Sequence, residues 1–380
     1  MKLVVNKDVI LDGLAKVQSI VGARTTLPIL YNVHLEADKE SLRLTATDLE
    51  ITVCTKIAAA KPKKDEETEG GAVALKIART GGTTLPAKRL YSILGALPQN
   101  EIEIDVDEKD NASIKCGASY FKLIGIDEDE FPALPKFQGQ RSFMLDQGHI
   151  KRMLLATHFA ASGDESRAIL NGVLMSFRGD KLTVVSTDGR RMAKYDLDTE
   201  FPKDSEGDWV IPSKTVGELL KTLKDEGSLK IQISDNQVLF EFDTMQIYSK
   251  LIEGTYPNFR QVIPTSCEER VSILREDLLA AVHRVSLLVG DKSNPITLTF
   301  SKNRLEIKGV AQDVGEAEEA LPVKYAGKEI TISFNPDFLM DPLRNLSSEE
   351  VSFELTDELS PGVLKSDTPF LYVLMPMRVR

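Results

Sequence analysis

Three stretches of the chain repeat one pattern of apolar and polar positions. In each, apolar residues recur at helical spacing, a polar connector follows, and two segments then alternate apolar and polar with period two. The stretches cover residues 11–51, 150–193 and 276–310. Polar interruptions at 38–41, 178–181 and 301–304 fall where hairpin turns are needed. A second unit follows each. Leu85-Pro86-Ala87-Lys88, Ile211-Pro212-Ser213-Lys214 and Phe334-Asn335-Pro336-Asp337 each open a helix, because proline near the first helical position gives up an N–H that has no partner there. These helices are expected to end near Leu97-Pro98, Glu226-Gly227 and Leu346-Ser347.

Each repeat then closes on a proline: Pro132, Pro257 and Pro376, at intervals of 125 and 119 residues. Three repeats account for the whole chain. The pattern predicts an α+β protein of three repeated domains, at 1–135, 136–262 and 263–380, each with two helices packed on antiparallel sheet. Residues 132–140 and 257–270, rich in proline and polar residues, read as the linkers.

Composition narrows the function. The 380 residues are 42% hydrophobic and 28% charged, which fits globular domains and excludes a disordered or collagen-like chain. With 47 Lys+Arg against 58 Asp+Glu the net charge is −11, the wrong sign for an adhesive nucleic-acid binder. Cys54, Cys116 and Cys267 are scattered, with no disulfide or zinc spacing. The N-terminal apolar run is broken at Asn6, Lys7 and Asp8, unlike a signal peptide. No run reaches membrane-spanning length. A cytoplasmic location is expected, with no membrane partner. His34, His149, His158 and His283 are not at ligand spacing, and no nucleotide-binding, zinc-protease or serine-hydrolase motif occurs. The acidic runs 127–130 and 316–319 read as solvated loops. No catalytic residue, metal or cofactor is expected.

The segments TLPIL (26–30), TATDLE (45–50), LNGVL (170–174), STDGRRMA (186–193), YPNFRQVIP (256–264), FNPDFL (334–339) and VLMPMRV (373–379) have an order and spacing that fit the repeat. Through them the whole chain resembles the bacterial DNA polymerase III beta subunit, the replicative sliding clamp. The resemblance implies a head-to-tail homodimer: six modules in a closed ring around double-stranded DNA. It also implies a non-enzymatic tether for the polymerase III alpha subunit, and docking of the clamp loader, other polymerases and repair proteins through short linear peptides. Twelve helices at an axis spacing of roughly 10 Å line a circle about 38 Å across. Removing a helix radius of about 5 Å on each side leaves a bore of about 28 Å, wider than a duplex of about 20 Å.

On that resemblance the candidate DNA-facing residues are Lys16, Arg24, Lys88, Arg89, Lys151, Arg152, Lys214, Lys221, Lys224, Arg275 and Arg284. For each of the helix residues, an ordinary solvated helix charge is the alternative. The family's aromatic DNA contacts before LNG are missing from residues 163–169. The candidate peptide pocket comprises Arg167, Ile169, Thr187, Gly189, Arg190, Arg191, Met192, Pro257, Val262, Asn335, Phe338, Leu359, Pro361, Val373, Leu374, Met375, Pro376, Met377 and Arg378. Methionines there can repack around different anchors, and the arginines can frame a rim; the alternative is plain core between domains. Gln261 stands where the family can carry a basic residue. Phe121, Leu123, Leu287 and Leu288 are the candidate dimer contacts. A protein-interaction scaffold that does not encircle DNA is the rival function, and a metal-dependent enzyme a more distant one.

The resemblance also recasts the charge. The six helix windows 7–24, 86–98, 146–161, 212–226, 275–290 and 335–347 carry +1, +2, +1, 0, 0 and −1, together +3, and leave −14 elsewhere. A slightly basic lining inside an acidic shell suits a ring that slides and does not adhere.

Overall fold

The computed structural model describes residues 1–22, 26–59, 74–135, 137–290 and 294–378. Its contacts partition into two compact units, residues 1–147 with 224–250, and residues 148–223 with 251–380. The helices are α1 (Lys7–Gln18), α2 (Ala87–Ala96), α3 (Gln147–Thr157), α4 (Ser213–Thr222), α5 (Arg275–Val289) and α6 (Pro336–Asn345).

In the first unit, a five-stranded antiparallel sheet runs in the order Leu75–Arg79, Lys2–Asn6, Glu101–Val106, Asn111–Cys116, Ser119–Ile124. An eight-stranded sheet follows the order Arg141–Asp146, Ser228–Ile233, Gln237–Phe242, Met245–Lys250, Ile51–Ala58, Ser41–Thr47, Asn32–Ala37, Gly81–Pro86. It is built from two successive repeats, joined where Met245–Lys250 pairs with Ile51–Ala58. The sequence reading gave each repeat its own sheet. The strands instead continue across the repeat boundary, which pairs backbone groups that a separate sheet would leave at an edge.

The second unit repeats the plan. Its eight-stranded sheet follows the order Gly207–Pro212, Gly172–Phe177, Lys181–Thr187, Arg191–Asp198, Phe370–Leu374, Gly362–Lys365, Glu350–Leu355, Glu269–Leu274. A four-stranded sheet has the order Gly315–Pro322, Arg304–Ala311, Ile296–Ser301, Ile330–Phe334.

Helix placement follows from spacing. α1 buries Ile10, Gly13, Leu14 and Val17, one face of a helix. A Cβ on Gly13 would stand 2.8 Å from a Leu44 methyl, so glycine lets the helix seat against the sheet. Asn6 caps α1 by accepting from the Asp8 N–H at 2.9 Å. Pro86 and Pro212 precede their helices as caps, whereas Pro336 occupies the first turn of α6 beneath the Asn335 cap. α4 stops at Thr222, short of the expected 226–227. Leu223 is extended, and its N–H closes on the Leu219 carbonyl. Two predicted hairpin turns close with N–H to carbonyl bonds from Asp38 to Ser41 and from Arg178 to Lys181, each 3.0 Å. Gly179 and Asp180 both have positive φ, as a tight two-residue turn requires.

Candidate functional site

The candidate pocket is organised by a turn. Lys181–Thr187 passes into Arg191–Asp198 through Asp188, Gly189 and Arg190. The Asp188 carboxylate accepts the N–H groups of Arg190 (2.8 Å) and Arg191 (3.1 Å). The Thr187 hydroxyl donates to the Arg191 carbonyl at 2.6 Å and accepts the Gly189 N–H at 3.1 Å. Gly189 has φ of 88°, where glycine carries no Cβ penalty. Arg167 donates to the Asp188 carbonyl at 2.9 Å, and its guanidinium lies 3.5 Å from where a Gly189 Cβ would be.

Arg191 is fixed beneath this turn. It pairs with Asp188 at 3.0 Å and Asp341 at 2.6 Å, donates to the Phe159 carbonyl at 2.7 Å and lies 4.2 Å from the Phe338 ring centroid. With a side chain 9% exposed it is a structural support, not the free rim cation the sequence suggested. Phe338 stacks under it. Tyr372 donates to the Phe338 carbonyl at 2.8 Å, and burial pushes its phenol far above the ordinary range.

The apolar candidates divide by depth. Met192 and Val373 belong to a buried cluster with Leu174, Val185, Val210 and Phe259, and Ile169 packs against it. Leu374 is buried in the larger core of the second unit. These three are floor and core. Val262, Leu359 and Met375 are exposed, at 49%, 69% and 45%. Pro257, Gly189, Arg190, Arg167 and Arg378 are exposed; Thr187, Pro361, Pro376 and Met377 are half-buried. The Met375 N–H donates to the Arg190 carbonyl at 3.0 Å, tying the C-terminal segment to the turn. The Met377 N–H donates to the Ser333 carbonyl at 2.7 Å. Gly362 pairs with Leu374, so Pro361 is placed beside Met375. Asn335 spends its side chain capping α6.

Sequence reasoning missed Tyr256, Phe259, Phe159 and Asp341. Tyr256 packs against the cluster with its hydroxyl buried and short of full hydrogen-bond geometry, and burial pushes that phenol upward, partly offset by the Thr187 backbone. A cavity of about 410 Å³ opens alongside, lined by Leu174, Val210, Tyr256, Pro257 and Phe259 among others. The aromatic positions of YPNF were the available signal.

The basic candidates lie mostly on helices. Lys88 and Arg89 on α2, Arg152 on α3 and Lys214 on α4 are exposed, and Lys151 is half-buried. Lys16 pairs with Asp12 at 2.6 Å, Lys221 with Glu218 at 2.7 Å, Lys224 with Asp243 at 2.7 Å, and Arg284 with Glu319. Lys224 lies beyond the end of α4. Arg275 is a correction. It donates to the carbonyls of Leu343 (2.7 Å) and Ser348 (2.8 Å), joining α5 to the end of α6. Arg24 lies outside the described residues.

Among the contact candidates, Phe121 is 39% and Leu287 70% exposed, and Leu288 is half-buried. Leu123 is buried at 7%, the single buried position of Ser119–Ile124, although Phe121 on the same face is exposed. The sequence reading missed the exposed Tyr120, Ile124, Val310 and Val314. Two strands that carry or adjoin these side chains, Ser119–Ile124 and Gly315–Pro322, each have one neighbour in their sheets among the described residues. Also among the described residues, no group of three or more His, Cys, Asp or Glu could hold a metal, and no helix is long and apolar enough to cross a membrane.

Comparison with known proteins accounts for nearly the whole chain. Models of the N-terminal, central and C-terminal domains of the DNA polymerase III beta subunit match residues 1–135, 144–258 and 260–378. The beta sliding clamp of Chlamydia pneumoniae is 32% identical over 379 residues, covering 100% of this chain and 99% of the relative. That of Escherichia coli K12 is 31% identical over 385 residues, covering 100% of both. Among solved structures, the Pseudomonas aeruginosa sliding clamp bound to griselimycin superposes with a TM-score of 0.91 at 30% identity. The Bacillus subtilis clamp does so at 0.92 and 28%. Each structure covers 100% of both chains.

Proposed function

The chain belongs to the DNA polymerase III beta subunit family, and we propose that two copies close head to tail through the Ser119–Ile124 edge of one and the Gly315–Pro322 edge of the other. As a member it is a sliding clamp with three clamp domains of α+β fold, a processivity factor of DNA replication and not an enzyme. The observation that carries the closure is the pair of open edges. One bears or adjoins Tyr120, Phe121 and Ile124 with the exposed cation Lys122; the other adjoins Leu287, Val310 and Val314 and bears the exposed Glu316 and Glu318. Strand addition across such a contact would pair both edges, and apolar anchors with opposite charges favour it.

The exposed cations on the helices, Lys88, Arg89 and Arg152 foremost, then serve as weak, sequence-blind phosphate contacts inside the ring. The surface formed by Met375, Val262, Leu359 and Arg190 over the Met192–Val373 floor takes short linear peptides of the polymerase III alpha subunit, the clamp loader, other polymerases and repair proteins, in the cytoplasm. Its exposed apolar side chains above a fixed turn support that reading.

The deciding measurement is retention on DNA. Protein loaded onto nicked circular plasmid is expected to stay bound at high salt and to leave when the circle is linearised. Equal retention on both forms would mean ordinary affinity binding, and would favour a scaffold that does not encircle DNA.

A further inference from the structure

The turn that organises the peptide pocket occurs twice. Ser41–Thr47 and Ile51–Ala58 correspond to Lys181–Thr187 and Arg191–Asp198 at a constant shift of 140 positions. The bonds correspond too. Asp48 accepts the N–H groups of Glu50 (2.9 Å) and Ile51 (2.8 Å), as Asp188 does for Arg190 and Arg191. The Thr47 hydroxyl donates to the Ile51 carbonyl at 3.0 Å and accepts the Leu49 N–H at 3.1 Å. The Lys250 N–H donates to the Glu50 carbonyl at 3.2 Å, as the Met375 N–H does to Arg190.

The side chains differ in a coordinated way. Gly189 is replaced by Leu49, and Arg167, whose guanidinium approaches Gly189, by Leu27. Leu49 has φ of 76°, a conformation that a bulky side chain adopts only at a cost. Leu49 and Leu27 are each 47% exposed and the nearby Tyr31 is 37% exposed, so the strained leucine is not held by burial. The rim charge reverses as well, with the exposed Glu50 in place of Arg190 and only an exposed 3.8 Å pair to Lys250.

We propose that the Asp48–Ile51 turn of the first unit is a second docking surface for short linear peptides, selective for an apolar anchor flanked by a basic residue. Leucines 27 and 49 supply the apolar contact and Glu50 the complementary charge. The inference rests on the reading of the Met375 surface as a peptide site, since the geometry is a copy of it.

Isothermal titration of the full chain tests this with two synthetic peptides, Lys-Gln-Leu-Ser-Leu-Phe and Glu-Gln-Leu-Ser-Leu-Phe. Met375→Arg blocks the main surface. It is expected to leave one site per chain, at which the Lys peptide binds about tenfold more tightly than the Glu peptide. Adding Leu49→Gly, which relieves the backbone strain and so keeps the fold, should weaken that residual site by at least about tenfold, and Leu27→Ser likewise. If Met375→Arg abolishes binding of both peptides, or if the residual site ignores both leucine substitutions, the second surface does not exist. If Met375→Arg leaves binding at the wild-type level and Leu49→Gly removes it, the Met375 reading fails and the second surface stands.

Discussion

Arg191 and Asp341 form a 2.6 Å ion pair across 150 positions of sequence. The arginine also holds Asp188, so one guanidinium braces the Gly189 turn against α6. Removing it leaves Asp188 without its buried cation and Asp341 facing the more distant Arg344 at 4.0 Å. Arg191→Ala is expected to cost about 3–5 kcal/mol in denaturant unfolding and to abolish binding at the Met375 surface. Exposed Arg190→Ala should leave stability within about 0.5 kcal/mol and weaken binding alone.

Tyr256 gives the opposite sign. Its hydroxyl is buried near the Thr187 backbone but short of full hydrogen-bond geometry, so Tyr256→Phe removes a desolvated, poorly bonded polar group and leaves the ring in place. The melting temperature should hold or rise, by up to about 1 kcal/mol in free energy. Tyr256→Ala should lose about 3 kcal/mol or more. A clear loss in Tyr256→Phe would mean that the hydroxyl is bonded.

His158 sets a pH dependence. Burial holds its imidazole below the ordinary range, partly offset by a backbone hydrogen bond with Ser213. The folded state therefore binds this proton less well than the unfolded chain does. The associated stability is complete above about pH 6.5 and is lost as pH falls through the lowered folded value. Thermal melts from pH 7.5 to 5 should show a decline that His158→Gln flattens.

Exposed and buried positions at the two edges respond differently to charge. Ile124→Asp or Leu287→Asp should raise the dimer dissociation constant by about a hundredfold or more while leaving the monomer folded, as read by sedimentation and circular dichroism. Leu123→Asp should instead unfold its sheet, because that side chain points inward. A dimer unaffected by both surface changes would place the contact elsewhere.

For the helix cations, Lys88→Glu with Arg89→Glu should reduce the salt dependence of DNA association by about one unit of log–log slope per lost phosphate contact. Arg275→Ala should lower stability with little change in that slope, since Arg275 bonds the carbonyls of Leu343 and Ser348.

The legible features were local. Helix starts at Pro86, Pro212 and Pro336, the hairpins at 38–41 and 178–181, and the Asp188 turn follow from neighbouring residues. The depth of Leu123 and Leu374 was not legible, because family position does not reveal what a strand residue packs against. Arg191 was misread because its partners, Asp341 and Phe159, are adjacent only in the folded chain. The continuation of strands between repeats was invisible for the same reason: alternation marks a strand but not its neighbour.

That continuation constrains synthesis. Thr55 meets Thr244 across 189 positions, and Ile51–Ala58 has Met245–Lys250 as its outer neighbour. While the chain is being made, the first repeat emerges with that edge open and stays so until the central repeat is nearly complete. Contacts of such long range slow folding, and an open strand invites pairing with a neighbouring nascent chain. A fragment ending near residue 135 should aggregate, and so should one ending near residue 250, which closes that edge but leaves Arg191–Asp198 without its partner strand Phe370–Leu374.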